Sequence, residues 1–546
     1  MLKKIIMWTA MMILLLNLIN VAFHTTWFVK ANPKATMEIA EGSCAPNGYS
    51  ALSTAQSIEW NKTYGTKYLE DAYSVVQTSD GGYAIAGYVQ YMDTWANFLL
   101  VKTDTYGNML WMKSYGRGGI YKDEQDYAFS VVQTSDGGYA IAGVKYTYAE
   151  GGDFWLVKTD ASGNMMWNKT YDGAGDDWAY SVIQTGDGGY AIAGYSTSLG
   201  GWLIKTDAFG NVEWNKTYDG VPYSLIQTSD GGYALAGVGY YDVYHLGDAW
   251  LVKTDADGNV QWNKTYGGLY RDIAYCVVQT VDGGYAIAGY TLSFGVFGWQ
   301  DFWLVKTDAD GNVQWNKVYG GTEGDLATSL VQTRDGGYAI AGYTLSFGAG
   351  GFDFWLVKTD ALGNLQWSQA YGGAYDEYAY SLIQTRDGGY AIAGETGSFG
   401  AGETDFWLVK VAPGPAATLH VSPQGLNLWS RGQWITAYIE LPQSYDPNDI
   451  DISTIRLNET IEVDPNAPAT VGDYDNDGIP DLMVKFRRAD ILLCILEAIG
   501  FPEIKFANVT LTVTCKLEDE TQFKGSQTIK TIRLTPRVFG KAIFQV

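Results

Sequence analysis

The chain has 546 residues, too many for one ordinary core and enough for a large repeat domain plus a second module. Its formal net charge of -24 argues against nucleic acid or an anionic membrane surface as partner, since both would repel it, and leaves cationic ligands and metal ions open. Four cysteines, Cys44, Cys276, Cys494 and Cys515, exclude a disulfide framework, although Cys494 and Cys515 share the C-terminal stretch and one bond between them is open.

Residues 1–31 read as a targeting segment. Lys3 and Lys4 precede an apolar run from Ile5 to Phe23 that only Thr9, Asn17 and Asn20 interrupt. Small residues at Ala22 and Ala31 favour a cleaved signal peptide. Nineteen residues can also just span a bilayer, so a membrane tether through residues 5–23 is the alternative. Either reading places the mature protein outside the cell, secreted or anchored at its surface. Residues 32–56 read as a linker.

From residue 57 to 411 one unit recurs. Gln-Thr-x-Asp-Gly-Gly-Tyr begins at Gln77, Gln133, Gln184, Gln227, Gln279, Gln332 and Gln384. A Tyr-Ser-Val-Val strand precedes it; Tyr-Ala-Ile-Ala-Gly, a variable loop, Phe-Trp-Leu-Val-Lys-Thr-Asp and Gly-Asn-Val-Gln-Trp-Asn-Lys-Thr-Tyr-Gly follow. Four short strands in about fifty residues are the signature of a propeller blade. Successive Asp-Gly-Gly turns are 56, 51, 43, 52, 53 and 52 residues apart. The fourth-strand tryptophans, Trp60, Trp111, Trp167, Trp214, Trp262, Trp315 and Trp367, keep the same beat but start before the first turn and end before the last. The seventh blade therefore owns three strands, near 380–385, 390–394 and 406–411, and residues 57–64 supply its fourth. The expected fold is all-β: a seven-bladed β-propeller closed by an N-terminal strand, with no open sheet edge left to invite aggregation.

Strands such as Tyr338-Ala-Ile-Ala-Gly342 are apolar on both faces, as a sheet between two other sheets requires. The Asp-Gly pair reads as a two-residue hairpin turn, so the repeated motif needs no chemistry to explain it. The third-strand lysines Lys102, Lys158, Lys205, Lys253, Lys306, Lys358 and Lys410 read as partners within each blade. Four repeated sequons, at Asn61, Asn168, Asn215 and Asn263, reflect duplication; Asn458 and Asn508 are further formal glycan acceptors.

The Asp-x-x-Gly-Asn-x-x-Trp segment, Asp308 to Trp315 for example, resembles the tryptophan-docking strand of quinoprotein-like propellers and the Asp-box hairpin of sialidase-like propellers, one residue off each spacing. The whole unit resembles the Asp-Gly-Gly-Tyr propeller repeats of exported archaeal and bacterial proteins, a resemblance that implies the fold and no assigned activity.

Residues 412–418, rich in proline, glycine and alanine, read as a stiff hinge. Residues 419–546 read as a β-sandwich-like domain, with strand composition at 434–441, 482–486, 509–516 and 529–534 and a short helix at 490–499. Its sharp motif is Asp473-Tyr-Asp475-Asn-Asp477-Gly478-Ile479-Pro-Asp481. Carboxylates at positions one, three and five, glycine at six and a carbonyl at seven, here Ile479, form the front half of an EF-hand-type calcium loop. Position twelve is Val484, so no bidentate glutamate closes it. It resembles the calcium loops of integrin-type and dockerin-type modules, which implies Asp481 as the completing ligand and a structural calcium. A solvated acidic turn is the plainer reading.

Strand alternation puts the invariant turns at one end of every sheet and the variable loops at the other, where binding residues are expected. Two features mark that variable end. Six blades carry a carboxylate where the innermost strand begins, Glu70, Asp126, Asp177, Asp272, Asp325 and Glu377, with Gly220 in the fourth. This is either an acidic ring at the channel mouth or a set of acceptors for backbone N–H groups. Aromatic loop residues break the symmetry: Tyr91 and Trp95, Tyr146 and Tyr148, and Tyr240, Tyr241, Tyr244 and His245. Aromatics beside carboxylates suit sugar stacking and protein interfaces. The expectation is a binding or adhesion scaffold for glycan or protein. The alternatives are a propeller hydrolase or lyase acting on carbohydrate, or a structural surface-layer component; three histidines in all, His24, His245 and His420, give a histidine-based metal cluster or triad no material.

Overall fold

A computed structural model describes residues 58–91, 95–116, 124–147, 151–239, 247–295, 298–412, 417–423, 425–427, 432–441, 445–458, 460–475, 477–499, 506–517 and 522–532. The leader, the linker, most of the hinge, and Tyr148, Tyr240, Tyr241, Tyr244 and His245 lie outside these residues. Among the described residues no helix is long and apolar enough to cross a membrane.

The repeats fold into four-stranded antiparallel sheets arranged in the manner of a β-propeller. In the fifth, Asp272–Gln279, Tyr285–Thr291, Asp301–Thr307 and Val313–Tyr319 pair in chain order. The third, fourth and sixth repeats do the same, while a parallel contact between Ala96 and Gln125 joins the first two into an eight-stranded sheet. In the seventh, Ile58–Tyr64 pairs antiparallel with Asp405–Val411 and sets Trp60 opposite Lys410, the register that sets Trp315 opposite Lys306 in the fifth.

Alternate residues of each middle strand serve different neighbours. Tyr285 and Ile287 pack on Ala234 and Ala236 of the preceding sheet, while Ala286 and Ala288 pack on Tyr338 and Ile340 of the next. Small residues on one face meet large ones on the other, which explains why both faces are apolar. Each fourth strand clamps the next repeat. Trp262 packs edge-on against Tyr285 with ring centroids 5.5 Å apart, and Tyr266 Oη donates to Gly311 O at 2.8 Å. The Trp60–Tyr83 pair, 5.6 Å apart, repeats this between the N-terminal strand and the first repeat.

Two series of hydrogen bonds run from repeat to repeat. Ser74 Oγ accepts from Val131 N, Ser130 from Val182, Ser181 from Leu225, Ser224 from Val277 and Ser329 from Leu382, with the Cys276 thiol donating to Leu330 O at the remaining step. The series ends where it starts, Ser381 Oγ accepting from Val75 N at 3.1 Å. A second series through the Gln-Thr glutamines behaves likewise, Gln77 Oε1 accepting from Arg386 N at 2.9 Å.

The Asp-Gly-Gly turn differs from the two-residue hairpin expected. Gln279 pairs with Tyr285, so five residues connect the strands, and only the first glycine, Gly283, has positive φ, 85°. Asp282 organises the loop through its side chain, Oδ1 accepting from Thr280 Oγ1 and from Gly284 N. Its Oδ2 lies 2.8 Å from Lys306 Nζ, and the same ion pair recurs in all seven repeats, from Asp80–Lys102 to Asp387–Lys410. The sequon asparagines are also structural: Asn263 Oδ1 accepts from Trp250 Nε1 at 2.8 Å, and Asn61, Asn168 and Asn215 serve Trp407, Trp155 and Trp202.

The C-terminal module has two sheets. Thr418–Ser422, Trp434–Glu440, Asp481–Arg487 and Thr470–Gly472 form one; Gly425–Asn427, Gln522–Ile532, Phe506–Leu517, Ile450–Leu457 and Ile461–Glu462 form the other. They share a core that includes Leu426, Ile439, Ile455, Phe486, Leu511 and Phe523, and one helix, Arg488–Ile499, follows the third strand of the first sheet. Cys494 and Cys515 are free thiols and form no disulfide; burial pushes the Cys515 thiol up to about 12.

Candidate functional site

The six strand-start carboxylates Glu70, Asp126, Asp177, Asp272, Asp325 and Glu377 are all fully buried. They are not displayed at a channel mouth. Asp325 Oδ2 accepts from Gly321 N and Ser346 Oγ while Oδ1 accepts from Thr344 Oγ1, tying the connection from the previous repeat to the repeat's own loop. Glu377 does the same through Gly373 N, Thr396 Oγ1 and Ser398 N.

The structure pairs these acids with a second set that sequence reasoning missed, at the start of the preceding third strand. Asp301 lies beside Asp325, Asp353 beside Glu377 and Asp248 beside Asp272, each pair flanking a glycine, Gly320, Gly372 or Gly267. Asp405 stands beside Glu70, Asp153 beside Asp177, and Asn97 beside Asp126. Where the fourth repeat has Gly220, its partner is Gly201, so both members of the pair are absent together. Burial, and then the charge of Glu377, pushes Asp353 up to about 6. Burial likewise raises Glu70, Asp177 and Asp325.

A one-residue bulge in each first strand presents Tyr73, Phe129, Tyr180, Tyr223, Tyr275, Thr328 or Tyr380. Consecutive rings touch: Tyr73–Phe129 at 5.3 Å, Phe129–Tyr180 at 5.6 Å, Tyr180–Tyr223 at 5.3 Å, Tyr223–Tyr275 at 5.2 Å and Tyr380–Tyr73 at 4.6 Å. Beside this collar Asp71 and Glu395 form a buried acid pair. Tyr88 Oη and Thr404 Oγ1 donate to Asp71, and Tyr380 Oη donates to Glu395 at 2.8 Å. Burial, and then the Asp71 charge, holds Glu395 well above the ordinary carboxylate range. The equivalent positions elsewhere are apolar or aromatic, such as Ile273 and Tyr343, and that contrast is the signal by which the sequence could have disclosed the pair.

At the variable-loop end, Tyr91 and Trp95 stack on each other at 3.9 Å, and Tyr91 meets Tyr68 edge-on. Tyr146 ends up half-buried, close to the backbone of Gly152. Other exposed aromatics on the described loops of this end are Tyr270, Phe294, Trp299, Tyr375 and Phe399, from the fifth to the seventh repeat. Trp299 reaches the Gly324 connection, and Tyr375 lies against Gly397.

In the C-terminal module Asp473, Asp475 and Asp481 each bring one carboxylate oxygen within 4.8 Å of the others. Asp477 groups instead with Asp475 and Glu440, a residue the motif did not disclose because it comes from the neighbouring strand, directly opposite Asp481. Gly478, at φ 93°, makes the turn and donates to Asp473 Oδ2; Ile479 N donates to Asp477 Oδ1. Asp481 is buried, accepts from Tyr474 N through Oδ2, and its Oδ1 has no hydrogen-bond partner. These oxygens suit a hard divalent cation.

No protein-family model matches the chain, and no curated protein matches it. Among solved structures it is similar to the Pan2 WD40 domain of Neurospora crassa, with TM-score 0.41 and 12% identity over 62% of this chain and 88% of that one. Sqt1 from Chaetomium thermophilum gives 0.39 and 11% over 61% and 83%. The extracellular domain of the putative one-component system BT4673 from B. thetaiotaomicron gives 0.38 and 12% over 89% of this chain and 59% of that one. The fold assignment rests on the chain's own sheets.

Proposed function

We propose that the protein is an exported binding scaffold, a closed seven-bladed propeller that offers its variable-loop end to a glycan or protein ligand. Closure is supported by the two hydrogen-bond series that return to the first repeat and by the pairing of Ile58–Tyr64 with Asp405–Val411. The observation that carries the binding reading is the exposure of Tyr270, Phe294, Trp299, Tyr375 and Phe399 at the variable-loop end; Tyr270 and Tyr375 hold one repeated position, Phe294 and Phe399 another against Trp303 and Trp407, and Trp299 occurs once. In a closed ring the bulge residues, six of them aromatic and Thr328 the seventh, would face the axis, which leaves recognition to the loops. Aromatic side chains on a rigid frame give large contact area at little entropic cost. Export rests on the leader, and the ligand is neither nucleic acid nor an anionic membrane, given the charge.

A glycan array and binding assays on surface proteins, with the full mature chain, test this reading. The Trp299→Ala/Tyr375→Ala variant loses at least tenfold in affinity at unchanged melting temperature; undiminished binding overturns the proposal.

In the C-terminal module we propose a structural calcium held by Asp473, Asp475 and Asp481, with the Ile479 carbonyl and either Asp477 or Glu440 available to the shell. The unpartnered buried oxygen of Asp481 supports it. Chelation lowers the melting temperature of this module in the wild type and not in an Asp473→Asn/Asp475→Asn variant, and no change of this module on chelation removes the claim.

One observation favours a second reading, a carbohydrate hydrolase or lyase: in the Asp71–Glu395 pair, burial and then the Asp71 charge raise one carboxyl above the ordinary range beside a second acid, an asymmetry that acid and base chemistry uses. Hydrolysis of polysaccharide that disappears in Glu395→Gln would establish it.

A further inference from the structure

Every repeat junction but one places a carboxylate at the start of a first strand, and one junction carries an additional acid. After Tyr171 stands Asp172, where Gly65, Gly116, Gly267, Gly320 and Gly372 follow the matching tyrosines. Glycine is required at the ordinary junctions: a Cβ on Gly372 would lie 1.6 Å from Asp353 Oδ1. Between the second and third repeats that space accommodates a carboxylate instead. One oxygen each of Asp153, Asp172 and Asp177 lies within 4.8 Å of the other two. Asp177 is fully buried. Its Oδ2 accepts from Gly173 N at 2.5 Å, the Ser196 hydroxyl lies alongside, and its buried Oδ1 meets no donor in hydrogen-bonding geometry. A buried, unpartnered carboxylate oxygen beside two further acids is costly unless positive charge joins them.

We propose that this junction binds a divalent cation of the calcium class through Asp153, Asp172 and Asp177, at a site separate from the C-terminal loop. All three ligands are hard oxygen donors, which selects calcium or magnesium over softer metals. Three carboxylates in irregular array suit calcium, whose coordination is flexible, and exposed Asp172 leaves one side open for water to complete the shell. Asp219 also replaces the junction glycine, but the pair positions beside it are Gly201 and Gly220, so it has no acids to join and serves as an internal control.

The test is the calcium content of the full chain, by calorimetric titration after chelator treatment and by mass spectrometry. Asp172→Gly, which restores the residue that five repeats carry, removes one equivalent per chain, and Asp219→Gly removes none. Asp177→Asn, of unchanged shape, weakens the same equivalent at least tenfold. An Asp473→Asn/Asp475→Asn variant retains the junction equivalent whatever becomes of the C-terminal loop. Equal calcium in wild type and Asp172→Gly overturns the proposal, as does a junction equivalent satisfied by magnesium alone.

Discussion

Asp353 and Asp282 show how one residue type acquires opposite properties from its surroundings. Burial and the Glu377 charge raise Asp353 to about 6, whereas the bonds from Lys306, Thr280 and Gly284 outweigh desolvation and bring Asp282 down to about 2. The signs follow from linkage. Asp282 and its equivalents Asp80, Asp136, Asp187 and Asp230 contribute stability that is present above the unfolded carboxylate pKa and lost as pH falls toward 2. Asp353 contributes stability below that pKa and loses it as pH rises through about 6. In chelator, the urea midpoint therefore peaks between about pH 4 and 6. Asp353→Asn, which copies Asn97 at the matching place, raises stability at pH 7 by about 1 kcal/mol after allowance for screening, with the gain shrinking by pH 4. A gain that persists undiminished at pH 4 would contradict this account of the pair. The strand-start acids were legible because they recur at a fixed distance from Gln-Thr. Their partners were not, because cross-repeat neighbours depend on how one sheet stacks on the next.

At the scale of elements, the fourth strand and the turn it grips form the unit that holds neighbouring sheets together. Gly311 has φ 76°, and a Cβ there would lie 2.8 Å from the Trp262 ring. Gly283 has φ 85° with open space around it. Both Gly→Ala variants incur backbone strain of about 1 kcal/mol, and Gly311→Ala loses about 1 kcal/mol more because the tryptophan must move. Equal urea midpoints for the two variants would show that the clamp carries no load. Removal of residues 1–64 exposes the Asp405–Val411 edge, and light scattering is expected to report association of the shortened chain, which monomeric behaviour would refute. The four strands of each repeat were readable from apolar runs between Gly and Asp punctuation, and the α-helix Arg488–Ile499 from its apolar run. The turn geometry was misread because Asp282 accepts two side-chain and backbone bonds and so builds a five-residue loop where an Asp-Gly pair alone suggests a tight hairpin.

At the scale of the whole molecule, repetition separates scaffold from specificity. Ion pairs, clamps and inter-repeat bonds recur around the repeats, whereas Asp71, Glu395 and Trp299 occur once and Asp172 has a counterpart only in Asp219. The sequence located the variable end by strand alternation but pointed to the fourth repeat, whose loop lies outside the described residues. The exposure of Tyr270, Trp299 and Tyr375 was hidden because burial of a loop side chain depends on the fold of its own connection and not on the repeat pattern. The proposed division of labour is tested most directly by comparing the two ends in one binding assay. Trp299→Ala/Tyr375→Ala alters the variable-loop end, and Tyr106→Ala/Phe209→Ala alters exposed aromatics on the invariant turns. The first pair is expected to lower affinity at least tenfold and the second to leave it intact; loss of binding only in the second pair would contradict that division.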